Sequence, residues 1–287
     1  MKKLLLVALL SVLVLTGCSA DPYADISDRN QAVVTIDNNS YTRGQFYDAL
    51  VTSNSTVLVT NKLISMVYEN IIGDDEAINE QVTTILDELK GSDSTYFQLY
   101  LSYMGYADEE AYAKDMTLFL KQDALVEKYL ESNYDQLFTQ YKPKMVRMLQ
   151  TSNSDNADTA LALIKEGADF AATTVAYGNA NYTGVPQLIH NKSTNVSSNV
   201  LLAIQSYNEA TILDAVVVNS EGTLFNVIEI TDVDSDSLKE AFIAELKQDQ
   251  NIMKTALASF VRAGNFTVFD KIVFDALTTS NPEFLNQ

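Results

Sequence analysis

The sequence predicts an α+β protein, with a mostly helical lobe drawn from both ends of the chain and a small α+β module between them. Three observations predict it. Residues 42–141 hold no proline and carry apolar side chains at helical spacing. Lys142-Pro143 breaks that pattern, and short strand-like runs follow. A second long amphipathic stretch, Ser237 to Ala263, returns near the end.

Each element has its own signal. Ala32 to Ile36 is a short apolar run before Asp37-Asn38-Asn39-Ser40, a turn composition after a strand. Thr42-x-x-Gln45 is a capping-box pattern that opens a helix with Phe46, Ala49 and Leu50 on one face. Leu58, Leu63, Met66, Val67, Ile71 and Ile72 make one amphipathic segment, and Ile78, Val82, Ile85, Leu86 and Leu89 another. Gly91 and Gly105 supply helix stops. The stripe from Tyr112 through Met116, Phe119, Val126, Leu130 and Leu137 to Tyr141 predicts one helix of about thirty residues. After the break, Met145 to Leu149 reads as a strand. A helix with Ala157, Ala160, Leu161 and Ile164 ends at Gly167, and a short helix opens at Asp169-Phe170. A loop spans Tyr177 to Asn199. Val200 to Tyr207 is helix-like, and Ala215–Val218 and Leu224–Ile230 are strand-like. Beyond the long stretch, Gly264 is a stop and a last helix holds Phe274 and Leu277.

Composition excludes whole classes of function. The 287 residues include 38 acids and 19 bases, a formal charge of −19 that repels phosphate backbones and argues against nucleic acid. One Cys and one His cannot build a Cys/His zinc site, and one Cys forms no intramolecular disulfide. No phosphate loop or dinucleotide fingerprint occurs, so neither metal nor cofactor is expected. His190, in Ile189-His-Asn-Lys192, reads as an exposed loop residue without an oriented partner. Asp232-x-Asp234-x-Asp236 begins like a calcium loop, but its sixth position is Ser237 and its twelfth Ile243. It reads as a linker and helix start, as does Asp74-Asp75-Glu76.

The N-terminus carries an address. Lys2 and Lys3 precede an apolar run, Leu4 to Leu15, too short to span a bilayer comfortably and built like a secretory signal. Leu15-Thr16-Gly17-Cys18 resembles the lipobox of bacterial lipoproteins, which implies diacylation of Cys18 and cleavage before it. Two acyl chains give stable anchoring, at about 0.8 kcal/mol per buried CH₂. The mature chain would hold 17 bases and 38 acids, a charge of −21, behind a polar tether from Ser19 to Asn30.

Four segments carry a wider resemblance: VVTIDNNSYTRGQFYDAL (Val33 to Leu50), YKPKMVRML (Tyr141 to Leu149), ALALIKEGADFAATTVAYG (Ala160 to Gly178) and LFNVIEITDV (Leu224 to Val233). In that order behind a lipobox, they resemble the PrsA-like foldase lipoproteins, relatives of parvulin-type peptidyl-prolyl isomerases and of the chaperone SurA. The resemblance implies a signal peptide over 1–17 and a lipidated tether over 18–31. It implies a helical chaperone lobe over 32–142, a parvulin-like module over 143–232, and a C-terminal segment over 233–287 packing back on the lobe. It implies polypeptide clients, an extracytoplasmic membrane-anchored location and room for a homodimer. It also marks a departure. The two strand positions where parvulins usually carry His fall on Arg147 and Asn226, give or take a residue. The usual Gly-rich loop has shrunk to Thr183-Gly184-Val185-Pro186, and Tyr207 falls at a pocket aromatic or else packs in the core.

The expected function is therefore a membrane-anchored foldase with weak or absent isomerase activity. Differential stabilisation of a twisted amide needs the polar set that is missing. A working isomerase and a solute-binding lipoprotein are the alternatives.

Overall fold

The computed structural model describes residues 26–36, 39–91, 94–179, 182–264 and 266–285. The stretch read as a signal, Cys18, most of the expected tether and the Asp37-Asn38 part of the first turn lie outside the described residues. Among those described, no helix is long and apolar enough to cross a membrane. The chain gathers into two compact units: residues 1–74 with 257–287, and residues 75–256. The cuts fall at 74/75 and 256/257, away from the 142/143 and 232/233 boundaries read from the sequence.

In the terminal unit, β1 (Ala32–Ile36) pairs antiparallel with β2 (Asn39–Thr42). The chain then enters α1 (Arg43–Ile71), a helix of 29 residues. Its start is the capping box: Gln45 N–H donates to the Thr42 hydroxyl at 3.3 Å, and Thr42 N–H donates to Gln45 Oε1 at 2.9 Å. Arg29 holds both carboxylate oxygens of Asp48 at 2.7 Å, fixing the hairpin entry against the first turns. From the other end of the chain, α11 (Lys271–Ser280) packs on α1, with Val273 and Leu277 buried against Tyr47, Val59 and Phe266.

The central unit begins with α2 (Glu76–Lys90), α3 (Ser94–Met104) and α4 (Glu109–Ser132), and α2 packs on both others. Asp75 and Asp108 cap α2 and α4 by accepting backbone N–H groups, which bears out the reading of Asp74-Asp75-Glu76 as a helix start. The expected thirty-residue helix is two. At Asn133 both the backbone N–H and the side-chain amide donate to the Tyr129 carbonyl, at 3.1 and 2.7 Å, and α5 (Tyr134–Tyr141) starts anew. An Asn that bonds the preceding turn competes with the helix ladder, and periodicity cannot register that. The Ser237–Ala263 stretch is likewise two helices, α9 (Ser235–Leu246) and α10 (Gln250–Ala263), the latter running into the terminal unit.

The module of this unit is an antiparallel sheet in the order β4-β3-β7-β5, with β6 also on β7. The central strands are β3 (Lys144–Thr151) and β7 (Phe225–Asp232). Around them lie β4 (Gln187–Ile189), β5 (Thr211–Ile212) and β6 (Val217–Val218). Side chains alternate between the two faces. Leu149 and Val227 pack under α6 (Ser154–Lys165) and α7 (Phe170–Tyr177). Val146, Met148, Ile228 and Ile230 pack under α8 (Ser198–Gln205). A third cluster joins Val126, Leu130, Leu137 and Tyr141 to Phe242 and Leu246. Burying a side chain the size of Phe242 contributes about 1.5–3 kcal/mol, so these clusters hold the helices to the module.

Candidate functional site

The three positions read from the sequence as a degenerate pocket do not form one. Register pairs Arg147 with Glu229 and Gln150 with Asn226 across β3 and β7. The odd spacing from 226 to 229 puts Arg147 and Asn226 on opposite faces of the sheet. Arg147 lies on the α6/α7 face with its guanidinium 3.7 Å from the Glu229 carboxylate, and its Nε is buried with no hydrogen-bond partner. The misplacement follows from period two: an error of one residue in a strand sends a side chain through the sheet.

Asn226 faces α8 and is 1% exposed. Its Oδ1 accepts from Gln150 Nε2 at 3.0 Å, and its Nδ2 donates to the Val217 carbonyl at 2.9 Å. Gln150, which the sequence reading missed, is thus the cross-strand partner of Asn226. The signal that could have found it was strand parity. Farther along this face, Val146, Met148, Ile228 and Ile230 fill the space beneath α8. Tyr207 packs, half-buried, at the edge of that cluster, which is the core-packing alternative for its side chain.

The Tyr207 carbonyl and the Ile204 carbonyl both accept from the Lys144 ammonium, the latter at 2.9 Å. Lys144 therefore ties down the C-terminal end of α8, where carbonyls lack helical partners and a cation is favoured. Burial, with help from the charge of Lys142, lowers the pKa of this amine. The shortened loop is held closely: Gly184 has φ +71°, and a Cβ there would meet the Thr174 hydroxyl at 2.8 Å.

His190 is not an exposed loop residue. It is 8% exposed, and its ring stands edge-on to Tyr141 at 5.2 Å and to Phe242 at 6.3 Å. Its Nδ1 accepts from the Lys192 N–H at 3.1 Å, so Nε2 bears the proton and faces Glu245 Oε1 at 3.2 Å. The partners come from α5 and α9, far away in sequence, so the local tetrapeptide held no sign of them. The ring works as a joint between loop and helices and lies away from the Gln150–Asn226 pair. Asp232 and Asp234 behave as the helix start that the sequence suggested. Asp234 caps α9, and the Asp232 carboxyl is held below the usual range by the Ser237 hydroxyl and the Asp234 N–H.

The terminal unit offers a different surface. A groove of about 700 Å³ runs between α1 and the end of α10 with the segment after it. Leu63, Met66, Val67, Val261, Phe266 and Phe269 give it apolar walls, and Lys62 is the charged side chain among its lining residues. At its neighbour, lined by Tyr47, Val59 and Phe266, the Tyr47 hydroxyl donates to Asp270.

Comparison with known proteins fits this architecture. The PPIC-type PPIase domain matches residues 122–241, beginning within α4 and ending within α9. Foldase protein PrsA 1 of Streptococcus pyogenes serotype M3 (strain SSI-1) is 24% identical over 286 residues, covering 92% of this chain and 79% of that protein. A solved PrsA from Bacillus cereus aligns at a TM-score of 0.48 with 16% identity, over 88% of this chain and 99% of its own. One from Streptococcus pneumoniae str. Canada MDR_19A aligns at 0.42 with 19% identity, over 89% and 100%. The chain thus matches the PPIC-type domain over residues 122–241 and is similar to PrsA foldases along nearly its whole length.

Proposed function

We propose that this PrsA-like chain is an extracytoplasmic chaperone for secreted polypeptides, held at the membrane by acyl chains on Cys18, whose PPIC-type module has little or no isomerase activity. The observation that carries the reading is the Gln150–Asn226 amide pair on a sheet face otherwise filled with apolar side chains. Rotation about an X-Pro bond is slow because amide resonance must be broken. Acceleration requires groups that bind the twisted amide better than the planar one. Two amides bonded to each other and to a strand carbonyl have little capacity left for a substrate. The guanidinium of Arg147 belongs to the other face.

Holding unfinished chains asks for something else, an exposed and adaptable apolar surface. The groove of the terminal unit supports that part of the reading, with Met66 and Phe269 about half exposed or more along it. The membrane tether rests on Leu15-Thr16-Gly17-Cys18 following the short apolar run. Metabolic labelling with an alkynyl fatty acid should mark the wild type and leave Cys18→Ser unmarked.

The decisive experiment runs two assays on one soluble body, residues 19–287. Aggregation of an unfolding client should be suppressed, and Met66→Asp with Phe269→Asp should weaken that suppression several-fold, because a carboxylate in an apolar groove repels apolar segments. A protease-coupled prolyl isomerisation assay should show no substantial acceleration. Clear acceleration that disappears in Asn226→Leu would establish the second reading, a working isomerase, which the domain match favours.

A further inference from the structure

Helix α3 is apolar on two sides. Phe97 and Leu101 are buried, at 2% and 1% exposure, and on the opposite side Leu99 and Tyr103 are 65% and 89% exposed. Tyr96 continues the outward stripe at helical spacing, and Met104 extends it at the last turn. The helix Ser-Thr-Tyr-Phe-Gln-Leu-Tyr-Leu-Ser-Tyr-Met holds no charged residue at all. Its surroundings in the chain are the reverse: residues 75–131 hold 13 acids against 4 bases, a net of −9. One of those bases, Lys90, is bound to Glu109 at 2.6 Å and lies over the Phe97 ring. Another potential counter-charge, Lys247, is held by Asp123 and Glu127 at 2.6 and 3.0 Å. An uncharged aromatic helix face is thereby set within an acidic stretch of chain, and the base that touches the helix, Lys90, is already engaged by Glu109.

We infer that the outward face of α3 is a docking surface for unfolded polypeptide segments with an apolar core and lysine or arginine flanks. The apolar core covers Leu99 and Tyr103, and the flanking cations lie in the field of the exposed acids at the end of α2 and the start of α4, Glu88 and Glu110 among them. Acidic clients meet repulsion at the same place, so charge selects the client class while the apolar contact supplies affinity. The inference rests on the chaperone reading and adds a preference that reading does not contain.

The test uses the mature body and two fluorescein-labelled peptides that share a Leu-Phe-Leu core, one flanked by lysines and its twin by glutamates. Anisotropy should report roughly tenfold tighter binding of the lysine peptide at low ionic strength, with the difference shrinking as salt screens it. Leu99→Ser with Tyr103→Ser should abolish most of the binding while the circular dichroism spectrum and Tm stay unchanged, since both side chains are exposed. Glu88→Gln with Glu110→Gln should narrow the gap between the two peptides. Equal binding of both peptides, or full affinity in the Leu99/Tyr103 variant, overturns the inference. So does concentration-dependent self-association that the Leu99/Tyr103 variant removes, because the occupant is then a second copy of the chain. If neither peptide binds while client aggregation is still suppressed, this inference fails and the chaperone reading stands. If aggregation is not suppressed either, the chaperone reading fails with it.

Discussion

Asn226 spends its side-chain amide on Gln150 and Val217, so its worth can be read by removing it. Asn226→Leu should cost about 2 kcal/mol in urea denaturation, because the part-buried Val217 carbonyl loses this donor and the buried Gln150 amide loses its acceptor. Gln150→Leu combined with Asn226→Leu should cost less than the sum of the two single changes, since the orphaned partner is removed as well. Additive costs would mean that the two amides do not act as a pair. Gly184 gives a second residue-scale expectation. A side chain there meets both the positive φ and the crowding by Thr174, so Gly184→Ala should destabilise by more than the roughly 1–2 kcal/mol that left-handed backbone alone costs a residue with a Cβ, whereas at a compatible φ the same change stabilises. Single residues were the least legible level of the sequence. The resemblance puts the first strand position at Arg147 give or take a residue, and in a strand that single residue decides the face. His190 was read as exposed because Tyr141, Phe242 and Glu245 reach it only through the tertiary fold.

Elements fared better where their ends are written in local chemistry. The Thr42/Gln45 box and the Asp75, Asp169 and Asp234 caps formed where the sequence put helix starts, because a capping side chain acts on groups two or three residues away. The breaks at Asn133 and after Leu246 were missed, because apolar periodicity runs straight through them. Helix α11 has a cap with a longer reach: Asp270 accepts the Val273 N–H at 3.0 Å and also the Tyr47 hydroxyl from α1. That contact pushes the pKa of Tyr47 up to about 12, chiefly through the hydrogen bond to Asp270. Although burial pushes the Asp270 carboxyl upward, the Tyr47 hydroxyl and the α11 amides hold it below its ordinary value. The pH consequences have opposite signs. The tyrosine is favoured in its neutral form, so its stabilisation is complete below about pH 10 and fades as pH rises through about 12. The carboxylate is favoured in its charged form, so its contribution is present above about pH 4 and is lost as pH falls. Buried Tyr68, also raised to about 12, loses stability in the same alkaline window, so the informative measurement is a difference. Tyr47→Phe should cost about 1 kcal/mol near neutral pH and should shrink toward zero relative to wild type by pH 12. Asp270→Ala should cost about 1 kcal/mol and flatten part of the acid limb.

At the scale of the whole molecule, charge and connectivity divide the chain in the same way. The central residues 75–256 hold 28 acids against 12 bases, a net of −16, whereas 26–74 with 257–287 hold 8 against 5, a net of −3. Composition showed the excess, but only the fold shows where it resides. The central unit is also one unbroken stretch of chain and, among the described residues, holds the buried clusters around Leu130 and Phe242, Met148 and Ile228, and Leu149 and Val227. The terminal unit is assembled from two stretches, and the cluster around Val273 and Leu277 draws on Tyr47 and Val59 from the other end of the chain. A contiguous stretch can close its core without a long loop, whereas a split one needs both pieces present. Residues 75–256 expressed alone should therefore fold with a cooperative thermal transition and native-like circular dichroism. Residues 26–74 alone should lack one, because α1 would lose α11 and isolated helices are marginal in water. Self-repulsion in the −16 fragment should raise its Tm with added salt, as screening at a Debye length of about 10 Å in 0.1 M salt weakens repulsion among surface acids. A fragment 75–256 that stays unfolded in high salt would show that the central clusters need the terminal stretches, and the two-unit division would then have no energetic meaning.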